Sequence, residues 1–108
     1  MTPEQKLKSL SLELPAASAP VANYVNAVRS GARAFACEEE QIAGADGRLP
    51  KGKLGREFSV EQGYQHARTV GMDLLAVMRA ELGSLDRVKR VVKVLGMVNA
   101  RAGTPVRR

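Results

Sequence analysis

Between Ser59 and Gly83 apolar side chains return every three or four positions: Val60, Tyr64, Ala67, Val70, Gly71, Leu74, Leu75, Met78 and Leu82. That period draws one apolar stripe along a helix. Both ends are marked. Ser59-Val60-Glu61-Gln62 is a capping box, in which the Ser59 hydroxyl accepts from the Gln62 N–H and the Gln62 side chain reaches back. Gly83 supplies the left-handed stop. The spacing predicts a helix over residues 60–82, roughly 34 Å long at 1.5 Å per residue, with its stripe against a sheet. Gly63 and Gly71 each cost up to about 1 kcal/mol of helix propensity, so close packing is expected at both. His66 falls off the stripe and is expected to be exposed and unpaired. Met72 and Met78 read as packing residues rather than ligands.

The remaining elements are shorter. Thr2-Pro3-Glu4-Gln5 starts a helix, with Thr2 as cap, Pro3 at the first helical position and Gln5 closing the box. It should run to about Ser9, with Leu7 and Leu10 as its contacts. Pro15 and Pro20 make LPAASAPVAN an extended linker. Residues 24–29 and 33–37 alternate as two strands around the turn signal Ser30-Gly31. A breaker-rich loop follows, with Gly44, Asp46-Gly47, Pro50, Gly52 and Gly55. Val88 to Val98 reads as a strand, crowded with Val91, Val92, Val94, Leu95, Met97 and Val98. One of its faces carries Val88, Arg90, Val92, Val94 and Val98, the other Lys89, Val91, Lys93, Leu95 and Met97. Helix, hairpin, long helix and strand make an α+β two-layer arrangement. One long helix covers one sheet face, so the second apolar face should meet another subunit or a further segment.

Length and charge narrow the classes. A chain of 108 residues reads as a single domain, divided as an N-terminal helix and linker (1–23), a sheet and long helix (24–100) and a tail (101–108). The net charge is +6, and Arg101, Arg107 and Arg108 carry part of the excess. Two Tyr, two Phe and no Trp do not interleave with the basic residues, which favours a solvated basic surface over a nucleic-acid site. No apolar run approaches the ~20 residues of a membrane span, and no secretory leader is expected at the N-terminus. The lone Cys37 can form neither an intramolecular disulfide nor a cysteine-rich zinc site. A reducing, cytoplasmic compartment is expected. Glu38-Glu39-Glu40 reads as a solvated bend, because three adjacent side chains do not converge on one metal; no metal site is expected.

PVANYVNAVRSG, DGRLPKGKLGREFSVEQG and the helix ending in ELGSLDRVKRVVKVLGMVN together resemble the YjgF/RidA family, also called the L-PSP endoribonuclease family, in its longer subgroup with an N-terminal helix. The resemblance covers residues 3–99, and 52–99 is its specific part. It implies a chorismate-mutase-like fold, a mixed sheet backed by two helices, assembled as a homotrimer whose sheets line a central barrel. The bare sheet face would then pack against neighbouring subunits. It also implies cofactor-free hydrolysis of enamine or imine intermediates, such as 2-aminoacrylate, to a 2-keto acid and ammonia, at a site between subunits. An arginine would clamp the substrate carboxylate as a bidentate pair.

By the same resemblance, Tyr24 sits where the family has a pocket tyrosine, and Gln41 matches the Gln of a Ser-Gly-Gln motif. Glu39 and Glu40 then stand for Ser and Gly, and Ala43 for the motif's Pro. An alternative alignment puts Cys37 at the serine. The family's carboxylate-binding arginine follows a second helix, whereas ARAGTPVRR matches nothing in the family. The expectation is a chain incomplete at its C-terminus and inactive in this form. Two other readings stand beside the deaminase: a non-catalytic oligomeric relic of the fold, and an RNA-binding or RNA-cleaving protein.

Overall fold

A computed structural model describes residues 1–17, 19, 23–37, 48 and 50–105. Helix α1, Pro3–Ser9, forms on its capping box: the Gln5 N–H donates to the Thr2 hydroxyl at 3.3 Å and the Thr2 N–H to the Gln5 side chain at 3.0 Å. Seven residues are too few for a helix to persist on propensity alone. Docking supplies the rest. Leu7 is buried, and α1 packs on a 3-10 turn at Leu85–Arg87, in which Leu85 is also buried. Leu10, expected as a second contact, is 53% exposed because the helix has ended beside it.

The hairpin joins β1, Ala27–Ser30, to β2, Arg33–Ala36, antiparallel, with Ala27 opposite Ala36 and Ser30 opposite Arg33. Gly31 takes φ +57° in the turn, a region open to glycine at no steric cost. The Cys37 N–H donates to the Asn26 carbonyl at 3.0 Å and closes the open end.

Helix α2, Val60–Leu82, begins at Ser59 with both capping bonds made, at 3.1 and 2.8 Å. It stops at Gly83, whose φ is +82° and whose N–H donates to the Arg79 carbonyl. It packs on both strands and on the 3-10 turn, and Arg29 of β1 pairs with Glu81 at 3.2 Å. The buried face is not the expected stripe. Asp73, Ala76 and Val77 are buried, whereas Val60, Tyr64 and Leu75 are exposed, and Leu74, Met78 and Leu82 are half-buried. The inward face carries the smaller side chains, which let the helix approach its neighbours closely.

Two single-residue expectations divide. A Cβ on Gly63 would collide with both methyl groups of Leu54, so close packing explains that glycine. A Cβ on Gly71 would meet open space. His66 is half-buried rather than exposed and unpaired, its ring edge-on to Phe58 with centroids 5.1 Å apart. The loop before α2 folds back under the helix and brings Phe58 there.

The expected strand at 88–98 is also corrected. Val88 has extended backbone angles, but residues 89–98 make no backbone hydrogen bond to any described residue. A strand exists through its ladder, and here no described segment lies alongside. Val91, Val92, Val94, Leu95, Met97 and Val98 are consequently 60–90% exposed. Only the ends are held. Val88 N–H donates to Leu85 at 3.0 Å, and beyond Asn99 the chain meets Leu54 on both sides. Leu54 N–H donates to the Asn99 carbonyl at 3.0 Å, and its own carbonyl accepts from Arg101 N–H at 2.9 Å and from the Thr104 hydroxyl at 3.2 Å. The first residues of the expected tail are thus docked.

Candidate functional site

The open end of the hairpin carries the residues that the sequence singles out. Tyr24 is half-buried three positions before β1, Asn26 holds Cys37 through the backbone, and Cys37 is exposed at the end of β2. Gln41 and Glu38 to Glu40 lie outside the described residues. Tyr24 therefore lies at the open end of the hairpin. A tyrosine joins an apolar ring to a polar hydroxyl, which suits a half-buried position.

A carboxylate clamp needs a guanidinium with free donors. Arg29 pairs with Glu81, Arg56 with Glu57 and Arg79 with Glu4. Arg33 opens β2 at the turn, the end of the hairpin away from Tyr24. Among the described residues no group of three His, Cys, Asp or Glu side chains could hold a metal ion, and no helix is long and apolar enough to cross a membrane.

A second polar cluster, which sequence reasoning missed, lies between α1 and the end of α2. Arg79 donates both guanidinium arms to the Glu4 carboxylate, at 3.0 and 2.5 Å, and the same carboxylate accepts the Leu85 N–H at 3.0 Å. Asp86 in turn accepts the Glu4 N–H at 2.9 Å. The hydrogen bond from Arg79, then that from Leu85, hold the Glu4 carboxyl below its ordinary 4.5, and Glu4 pushes the Arg79 guanidinium up. An open groove of about 370 Å³ lies beside this pair, with Thr2, Lys8 and Leu12 on its walls. The Arg79 guanidinium in it is already committed to holding α1. The only sequence signal was acid in a first turn and base in a last turn, a pattern too common to single out a pair.

No family model matches the chain. It is 39% identical over 102 residues to Protein TCP17 of Trypanosoma cruzi, an alignment that takes in 87% of this chain and 58% of that protein. Its fold matches the crystal structure of a Shewanella oneidensis MR-1 protein provisionally described as an endoribonuclease, with a TM-score of 0.72 and 28% identity, over 84% of this chain and 60% of that one. The chain spans about three-fifths of the length of each. The structural match defines an α+β fold of the chorismate-mutase-like kind. That match supports the YjgF/RidA, or L-PSP endoribonuclease, family that the sequence resembles.

Proposed function

We propose that the chain is a subunit of a cofactor-free enamine/imine deaminase, with a site that the 108-residue chain does not complete by itself. The observation that carries this is Tyr24, half-buried at the hairpin mouth in a chain whose fold matches a family structure. An enamine such as 2-aminoacrylate takes a proton on its terminal carbon to become an imine. Water then adds to the C=N carbon, and the carbinolamine expels ammonia to leave a keto acid. The protein's part in this is to hold the carboxylate and aim the water. Tyr24 supplies a hydroxyl for positioning, and by family resemblance Gln41 supplies an amide. The arginines paired with Glu81, Glu57 and Glu4 are spoken for, so the clamp has to come from outside this set.

The same reading has the protein act as a cytoplasmic homotrimer. Its support is the exposed face of Val91, Leu95 and Met97, which a neighbouring subunit would cover. Lys89 and Lys93 share that face and would have to reach an acidic group or a polar channel, since unpaired buried charge is costly.

The test generates 2-aminoacrylate enzymatically and follows its absorbance. The chain alone should leave the decay at the buffer rate. Adding a polypeptide that spans the part of the Trypanosoma cruzi relative beyond the alignment should accelerate it, and Tyr24→Phe should remove most of the gain. No acceleration in either arm overturns the deaminase and leaves a non-catalytic oligomeric member of the fold. RNA cleavage, which the description of the Shewanella protein suggests for that protein, is the second reading. The chain's one histidine packs against Phe58 within α2, so a labelled RNA is expected to stay intact in the same preparations.

A further inference from the structure

We infer that α1 is a strap that leaves and re-docks as a unit, turning at Ser11, while the hairpin and α2 stay folded. Its attachments are few. Leu7 is its one buried side chain, and the helix packs on the 3-10 turn that buries Leu85. Among the described residues, the hydrogen bonds from α1 to the rest of the fold run through Glu4 alone. Its carboxylate accepts from Arg79 and from the Leu85 N–H, and its own N–H donates to Asp86. A helix of seven residues does not persist once such contacts are lost, so undocking and unwinding are one event. Residues 10–26 separate α1 from β1, a length that lets it move without pulling on the hairpin.

The point of rotation is strained. Ser11 takes φ +52°, in the left-handed region, and no other described non-glycine residue has a positive φ. A Cβ is unfavourable there, and glycine is the usual residue at this position after a helix. The last turn enforces the conformation. The Ser11 N–H donates to the Lys8 carbonyl and the Leu12 N–H to the Leu7 carbonyl, both at 3.0 Å. Those bonds exist only while α1 is wound, so release relieves the strain. Docked α1 is thus opposed at its own C-terminus and held by Glu4 and one leucine.

The groove of about 370 Å³ is the seam along which the strap parts. Thr2, Gln5 and Lys8 line it from the strap, Arg79 and Asp86 from the body. Opening removes the first wall and uncovers Leu85, which is 3% exposed when closed. It also frees both Arg79 arms and the Leu85 N–H, three donors that converge on the place the Glu4 carboxylate has left. The closed form therefore hides an apolar patch and a set of carboxylate donors that the open form presents. The strap depends on neither the deaminase reading nor the trimer.

The experiment is hydrogen exchange of the full chain, followed amide by amide at neutral pH. The Lys6 and Leu12 N–H groups, bonded within α1 and its last turn, report winding, and the Leu85 N–H, bonded to Glu4, reports docking. These three should share one protection factor, about tenfold or more below that of Val77 within α2, because a locally opening unit exchanges without global unfolding. Glu4→Gln should lower the three together and leave Val77 unchanged. Ser11→Gly, which removes the strained Cβ, should raise the three together. Protection equal to that of Val77, or a Glu4→Gln effect as large at Val77 as at Lys6, overturns the strap and makes α1 an integral part of the fold. Fast exchange at Lys6 with Leu85 still protected overturns it too, as fraying without undocking. Ser11→Gly that leaves the three unchanged or lowers them overturns Ser11 as the strained hinge.

Discussion

Glu4 ties the N-terminal helix to the rest of the molecule. Its carboxylate is held below 4.5 by Arg79 and by the Leu85 N–H. A depressed folded value means that the unfolded chain binds the proton first on acidification. The stability is therefore fully present above 4.5 and is lost as pH falls through the lowered folded value. Glu57 adds in the same direction, lowered chiefly by the Lys53 N–H and further by Arg56. Urea unfolding at a series of pH values should show stability falling below 4.5, and Glu4→Gln should flatten that slope without abolishing it. An unchanged slope would show that the pair contributes nothing. Gly63 and Gly71 make a second residue-scale comparison. Alanine gains up to about 1 kcal/mol of helix propensity at either site. At Gly63 the added methyl collides with Leu54, and overpacking of that kind typically costs 1–3 kcal/mol. Gly63→Ala should lower the unfolding free energy of dilute protein and Gly71→Ala should raise it.

At the scale of elements, local chemistry was legible and partnership was not. Thr2 with Gln5, Ser59 with Gln62, Gly83 and Ser30-Gly31 act within a few residues of themselves, and helix ends and turn fell where those residues put them. Val88 to Val98 has strand composition, but a strand needs a neighbour that composition does not name. The inward face of α2 was hidden for a related reason. Counting large apolar residues found the outward stripe, whereas Gly63, Asp73, Ala76 and Val77 face in because the hairpin and Leu54 demand a close approach. An extended, unladdered segment is also a protease substrate. Limited trypsin should cut at Lys89, Arg90 and Lys93 before Arg68 or Arg79 within α2, as mass spectrometry of early fragments would show. Protection of the three sites in the untreated protein would mean that a partner already covers the segment.

For the whole molecule, the α+β class could be read from the two capped helices and the hairpin signal, and the family resemblance is densest over residues 52–99. The site could be read only in part. Tyr24 lies at the open end of the hairpin, Gln41 falls outside the described residues, and Arg29, Arg56 and Arg79 are drawn into ion pairs, two of which depend on tertiary neighbours. The molecule consequently has two unsatisfied apolar surfaces, the outward stripe of α2 and the 88–98 segment. Each is larger than the scattered exposed residues of an ordinary monomer surface.

Leu54 has a kinetic consequence. Its carbonyl and the Thr104 hydroxyl that donates to it lie 50 positions apart, and all of α2 is in the loop they close. Closing a loop of that length costs about 3 kcal/mol of chain entropy, so the clasp forms late, once α2 has shortened the path. It should also open as a unit. The amide protons of Leu54 and Arg101, which point into opposite halves of the clasp, should exchange with deuterium at a common rate. Thr104→Ala should speed both together, and faster exchange at Arg101 alone would mean that the end of the chain frays while Leu54 stays shut.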